Sequence, residues 1–294
     1  MTAVSVDFWA TQFLNGVTLG MIFVLVALGL SLIFGIMHVV NFAHGDLLLV
    51  GTYVSLSVFL LTESLLLGVI VAMLAVGVLG FVLEYFILRR VDHENVLLQL
   101  LVTFGVAEII RELVQLRWGP VGMNYPVPDW GRGNVDLLVT GYPLYRTFVI
   151  VAGIVCVAAV YLFLTRTDYG LVVRAGSHDR DLVRTLGIDI RRIFTLVFVI
   201  GCLLAAVAGT LVGPLRSANP ELGVELLIPA FVVVIVGGMG SFTGSIVAGL
   251  FIGLVITLTG VVFPPAQDAV IYAFMAVVLL VRPHGLFGTP QEAH

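Results

Sequence analysis

The chain has 294 residues, 60% of them hydrophobic and only 11% charged, with a formal net charge of −4. A soluble domain would carry about 25% charged residues, so the composition excludes a water-soluble globule, and the acidic balance gives no reason to expect nucleic acid as a partner. No lysine occurs, all 14 basic residues being arginine, which excludes a Walker A loop; if ATP is used, another chain must bind it, and no cofactor is expected here.

The apolar runs are continuous and longer than the ~10-residue alternating strands of a membrane barrel. They predict an all-α membrane protein, a polytopic bundle of 8–9 transmembrane helices forming one domain over 1–294, with spans near 14–36, 47–61, 65–88, 96–116, 147–164, 193–213, 227–240, 244–263 and 268–281. The run from Leu14 to Ile36 is too long for a signal-peptide core, so no cleavable leader is expected.

That first span stops at Asn41, His44 and Asp46 before the chain turns apolar again at Leu47. A polar break in lipid is costly unless protein or a water-filled path surrounds it, and such breaks line substrate paths in transporters. Two compatible roles are open. Asp46 caps the helix beginning at Leu47 while Asn41 and His44 satisfy freed backbone, or the three form a conduit or gate. One His and one Asp lack a third convergent ligand, so no metal site is expected.

In the span 96–116, Glu108, Arg111 and Glu112 share a face, Glu108 roughly 18 Å from the inner end. They form an internal ion pair, a proton relay or a charged vestibule. Glu84 is expected to snorkel to the inner surface. The segment 117–146 carries Trp118, Tyr125, Trp130 and Tyr142, suited to the interface belt or to docking an outer protein. Cys156 and Cys202 lie within apolar spans and read as packing residues.

The linker 165–192 holds six of the 14 arginines and is therefore cytoplasmic, which places the C-terminus inside and leans the N-terminus outside. Ser177 or Asp179 is positioned to N-cap a short helix, with Gly187 at its C′ position and Leu182, Val183 and Leu186 as an apolar stripe needing cover. Gly237, Gly238, Gly240 and Ser241 predict an unwound turn, a second broken element in the C-terminal half that pairs in character with the region from Asn41 to Ser55. Gly240–Gly244 and Gly249–Gly253 have the spacing of close helix packing.

Ala27-Leu-Gly-Leu-Ser-Leu-Ile-Phe-Gly35 followed by Val40-Asn-Phe-Ala-His-Gly-Asp46 resembles the signature of the first-type permease subunits of branched-chain amino acid ABC importers. Arg174, Ala175, Asp179, Leu186, Gly187 and Ile188 resemble their ATPase-facing loop. Val236-Gly-Gly-Met-Gly-Ser241 with Gly244 resembles their glycine motif, and Arg282-Pro-His-Gly-Leu-Phe-Gly288 their tail. The likeness implies an importer in the cell (inner) membrane with a second permease, two cytoplasmic ATPases and an extracytoplasmic binding protein. It implies no catalytic residue in this chain. Met239, Phe242 and Thr243 depart from common members. From the residues themselves, a proton-coupled secondary transporter using Glu108, Glu112 and His44, or a passive channel for a small neutral solute such as urea, stays open.

Overall fold

The computed structural model describes residues 6–91, 95–137, 140–178 and 180–288. Among them are eleven α-helices: α1 (Val6–Met37), α2 (His44–Thr62), α3 (Leu65–Phe86), α4 (Val96–Trp118), α5 (Leu144–Arg166), α6 (Asp168–His178), α7 (Arg180–Thr185), α8 (Ile190–Arg216), α9 (Leu222–Gly237), α10 (Phe242–Val262) and α11 (Ala269–Val281). Six of them, α1, α2, α3, α5, α8 and α10, are long and apolar enough to cross a membrane, and α9 and α11 are shorter apolar helices. The α4 helix has the length of a span but carries Glu108, Arg111, Glu112 and Arg117. A small antiparallel pair, β1 (Asn134–Leu137) and β2 (Thr140–Pro143), precedes α5. This is the expected all-α polytopic bundle.

A helix that is apolar all round belongs inside a bundle. The most apolar stretches of α1 and α8 are each 78% buried, against 22% for α5, so α1 and α8 form the centre. Glycine allows α1 and α10 to touch backbone to backbone. A Cβ at Gly20 would lie 2.9 Å from Leu250 Cα, and one at Gly249 would lie 2.7 Å from Val24 Cγ2. Such contacts replace the hydrophobic drive that lipid removes.

The two halves of the chain share a series of local features in the same order. Helix α1 ends at left-handed His38 (φ 53°) and α8 at left-handed Ser217 (φ 65°). In each case an asparagine follows whose Oδ1 accepts from the backbone N–H two residues on: Ala43 to Asn41 at 3.1 Å and Glu221 to Asn219 at 3.0 Å. Then α2 and α9 begin. Each runs to a serine N-cap, Ser64 accepting from Leu67 N and Ser241 from Gly244 N, that opens α3 or α10. The packing is reciprocal: α1 lies on α9 and α10, and α8 lies on α2 and α3. Likewise α4 packs on α2 as α11 packs on α9.

Two ends of the bundle differ in chemistry. At the arginine-rich end, Glu84 is 1% exposed and does not snorkel. Arg89 Nε donates to its Oε1 at 3.0 Å, and Thr195 Oγ1 donates to its Oε2 at 2.6 Å. The carboxylate is held because its charge is paired inside the bundle. Glu84→Ala is expected to cost about 1.5–3 kcal/mol, typical for hydrogen bonds to a charged group, read as a lowered melting temperature of the purified protein; an unchanged melting curve would show the network to be idle. At the aromatic end, Tyr125, Tyr142 and Tyr145 are buried rather than arrayed as a belt, and Tyr145 Oη donates to the Leu211 carbonyl at 3.0 Å. These rings pack into the bundle, while Trp130 remains exposed.

Candidate functional site

Helix α2 starts deep in the bundle. Its first residue, His44, is fully buried, and a Cβ on Gly29 would sit 2.8 Å from His44 Cε1. Gly29 lies about 12 Å, eight residues, before the end of α1, so residues 38–43 turn back into the protein before α2 can start. Helix α2 then leaves toward the aromatic end, where Phe59 meets Tyr125 with ring centroids 5.6 Å apart. Together, residues 38–62 recross the bundle that α1 has just crossed.

The second half does the same from the opposite end. Helix α8 finishes at the aromatic end, where Met123 and Ala218 exchange backbone hydrogen bonds at 2.7 and 2.9 Å. Residues 217–221 turn inward, α9 starts beside α2, and its far end lies near Gly35 at the end of α1. The meeting point is glycine on glycine. A Cβ on Gly45 would strike the Gly223 carbonyl, and a Cβ on Gly223 would strike the Gly45 carbonyl. Two helix N-termini, each with orphan N–H groups and a partial positive charge, therefore face one another inside the protein.

Negative charge answers that concentration of dipole. Asp46 lies in the first turn of α2 and is 1% exposed. Arg111 from α4 grips it with both branches of its fork, Nε to Oδ1 at 3.1 Å and Nη2 to Oδ2 at 3.1 Å, while Nη1 reaches Glu108 Oε1 at 2.9 Å. The planar guanidinium is what permits this double contact. Glu221, the N-cap of α9, lies close enough to act electrostatically on both Asp46 and Arg111. Thr103 Oγ1 donating to Val40 O (3.3 Å) and Trp118 Nε1 donating to Ser57 Oγ (2.8 Å) stitch the rest of α4 along the break and α2.

These contacts correct the expected local roles. Helix α2 begins at His44, not Leu47, with Ala43 at its N-cap and no side-chain cap, so Asp46 is an ion-pair partner rather than a cap. Asn41 shapes the turn through its Oδ1, while its Nδ2 has no hydrogen-bond partner among the described residues. The His44 ring lies near the Val26 carbonyl but outside hydrogen-bond geometry. Arg111 pairs with Asp46 and Glu108, and Glu112 sits exposed on α4.

Asn41, His44, Asp46, Glu108 and Arg111 thus gather in one place. Gly237, Gly238, Gly240 and Ser241 gather in another, the turn between α9 and α10. Gly238 (φ 102°) and Gly240 (φ 81°) take conformations that favour glycine, and Ser241 caps α10. The tail covers this turn, Leu286 N donating to Val236 O at 2.8 Å and Phe287 N to Gly237 O at 3.0 Å. The stretch that meets the first break is instead Ser217–Gly223. Its only sequence signal is the shared Asn-x-x-x-Gly spacing of Asn41–Gly45 and Asn219–Gly223.

In the linker, Arg174, Ala175 and Gly187 are exposed, Gly187 taking φ 79° after α7. Val183 is buried and Leu186 is 70% exposed, so the stripe expected of one face divides. Ser177 Oγ donates to Arg174 O, an intrahelical bond rather than a cap. Asp179 and the side chain of Leu182 lie outside the described residues.

Two helices that start inside the protein and meet at a buried charged break are features of the polytopic helical membrane permeases. Residues 12–279 match the family described as branched-chain amino acid transport system / permease component, and the chain belongs to that family. It is 29% identical to the high-affinity branched-chain amino acid transport system permease protein LivH of Salmonella typhimurium, over 97% of each chain. It is 30% identical to the corresponding BraD of Pseudomonas aeruginosa, over 95% of this chain and 96% of the relative. A solved structure, PsaBC from Streptococcus pneumoniae in complex with Fab, matches with 14% identity and a TM-score of 0.49 over 92% of this chain and 89% of that one.

Proposed function

We propose that this chain is the membrane-spanning subunit of an ATP-driven importer for branched-chain or related amino acids, residing in the inner membrane. A second permease completes the translocation path, two separate ATPase subunits drive it, and an extracytoplasmic binding protein delivers substrate. The arginine-rich end faces the cytoplasm with the C-terminus, and the start of α1 faces outside. Family membership supports the transport role.

The observation that carries the path is the α4 face. The Glu108 side chain is 42% exposed on this chain, and Glu112 beside it is exposed, yet both lie on α4, a helix with the length of a span. Lipid does not tolerate such a face, so it turns toward the second permease and the solute between them. Carboxylates at Glu108 and Glu221 suit the ammonium group of an amino acid.

Coupling runs through the linker. Leu171 (60% exposed) and Leu186 (70%) project from α6 and the end of α7, while Val173 and Val183 anchor the linker inward. ATPase closure pulls on this apolar surface and tilts the two half-helices, a bistable change biased by the partner. Leu186→Asp combined with Leu171→Asp is expected to lower ATPase co-purification at least about 10-fold, from the loss of two apolar contacts to the partner, with insertion unchanged. In proteoliposomes holding all subunits, leucine uptake is expected to require ATP. Uptake sustained by a proton gradient alone would overturn the reading.

A further inference from the structure

We infer that the cleft between α3 and α8 at the arginine-rich end is a binding site for one anionic phospholipid. The two helices touch where a Cβ on Gly80 would lie 2.5 Å from Cys202 Sγ. Beyond that contact they part, and a cleft of about 590 Å³ opens, its walls including Phe81, Tyr85 and Val199 and its end including Arg89, Arg191 and Arg192. Phe81 and Tyr85 are 45% and 44% exposed, so the apolar wall opens sideways on the bundle surface, where an acyl chain lies.

The charges do not cancel. Arg89 is paired with Glu84 at 3.0 Å and Arg192 with Asp189 at 3.0 Å. The Arg191 side chain has no ion-pair partner among the described residues, which leaves one net positive charge, the complement of one phosphodiester. Arg89 stacks over the Tyr85 ring with Cζ 4.6 Å from its centroid, placing a guanidinium and an interfacial aromatic at the depth where headgroups lie. Basic pockets between helices on the cytoplasmic side bind anionic headgroups on the same principle.

The assignment to the inner leaflet rests on the orientation proposed above. Lipid retention needs neither ATPase nor transport, so its failure would leave the importer reading untouched. The full chain, purified in mild detergent and loaded with phosphatidylglycerol or phosphatidylcholine of the same acyl chains, is weighed by native mass spectrometry. Phosphatidylglycerol is expected to be retained preferentially. Arg191→Gln is expected to reduce its retention about 5-fold, the effect of one arginine near a headgroup, with Arg216→Gln at the opposite end neutral. Val199→Trp, filling the apolar part, is expected to reduce retention of both lipids. Equal retention of the two lipids, an unchanged Arg191→Gln, or displacement by excess inorganic phosphate would each overturn the site. So would an Arg191→Gln variant that keeps its lipid but loses ATPase co-purification, which would assign the arginines to a protein contact.

Discussion

Arg111→Gln is expected to abolish uptake and to destabilise the chain by about 3–5 kcal/mol, the cost of leaving one member of a buried ion pair alone. Asp46 is 1% exposed, and among the described residues Arg111 supplies both hydrogen bonds that its carboxylate receives from side chains. Without the guanidinium, the carboxylate keeps the positive ends of α2 and α9, each worth at most about 2 kcal/mol. Arg111→Lys restores charge but not the fork, so recovery is expected to be partial. Asp46→Asn joined to Arg111→Gln removes both charges together and is expected to recover most of the stability while leaving uptake impaired. That split separates a stabilising pair from one that also shapes the path. The measurements are thermal melting of the purified protein and uptake in the reconstituted importer. A fully stable, fully active Arg111→Gln chain would remove the charged break from the account of transport.

The spans were legible because length and apolarity are enough to place a helix in lipid. The first break was legible because Asn41, His44 and Asp46 interrupt an apolar run, and the Glu108–Arg111 pair because its partners are one helical turn apart. The pairing of Arg111 with Asp46, 65 residues away in the chain, was not legible. Local spacing carries no information about which helix packs against which. The second break was hidden for a different reason. Asn219-Pro-Glu-Leu-Gly223 holds Pro and Glu just after an arginine, so it has the composition of a surface loop, and the burial of Pro220, Leu222 and Gly223 arises from tertiary packing that includes α2 against Gly223. The denser glycine of Gly237–Ser241 is the stronger sequence signal, yet it serves the turn under the tail. Helix packing glycines and pathway glycines look identical in a sequence, since both answer the same need for close approach.

Symmetry gives the sharpest expectation: Gly45→Val and Gly223→Val should fail alike. A Cβ on Gly45 lies 2.9 Å from Leu227 Cβ and strikes the Gly223 carbonyl, while a Cβ on Gly223 lies 3.3 Å from Asp46 N and strikes the Gly45 carbonyl. Either substitution drives the two half-helices apart, with an overpacking cost of about 1–3 kcal/mol or more because backbone rather than a flexible side chain must yield. Displacing α2 also pulls Asp46 from Arg111, so loss of uptake is expected to exceed what stability alone explains. The double variant relieves one shared contact and should cost less than the sum of the two. Gly105→Val is the control for stability, since a Cβ there meets nothing within 4 Å in this chain. The checks are melting temperature and reconstituted uptake for all four variants. If Gly223→Val behaves like Gly105→Val while Gly45→Val fails, the second half-helix is only scaffold, and the break belongs to α2 alone.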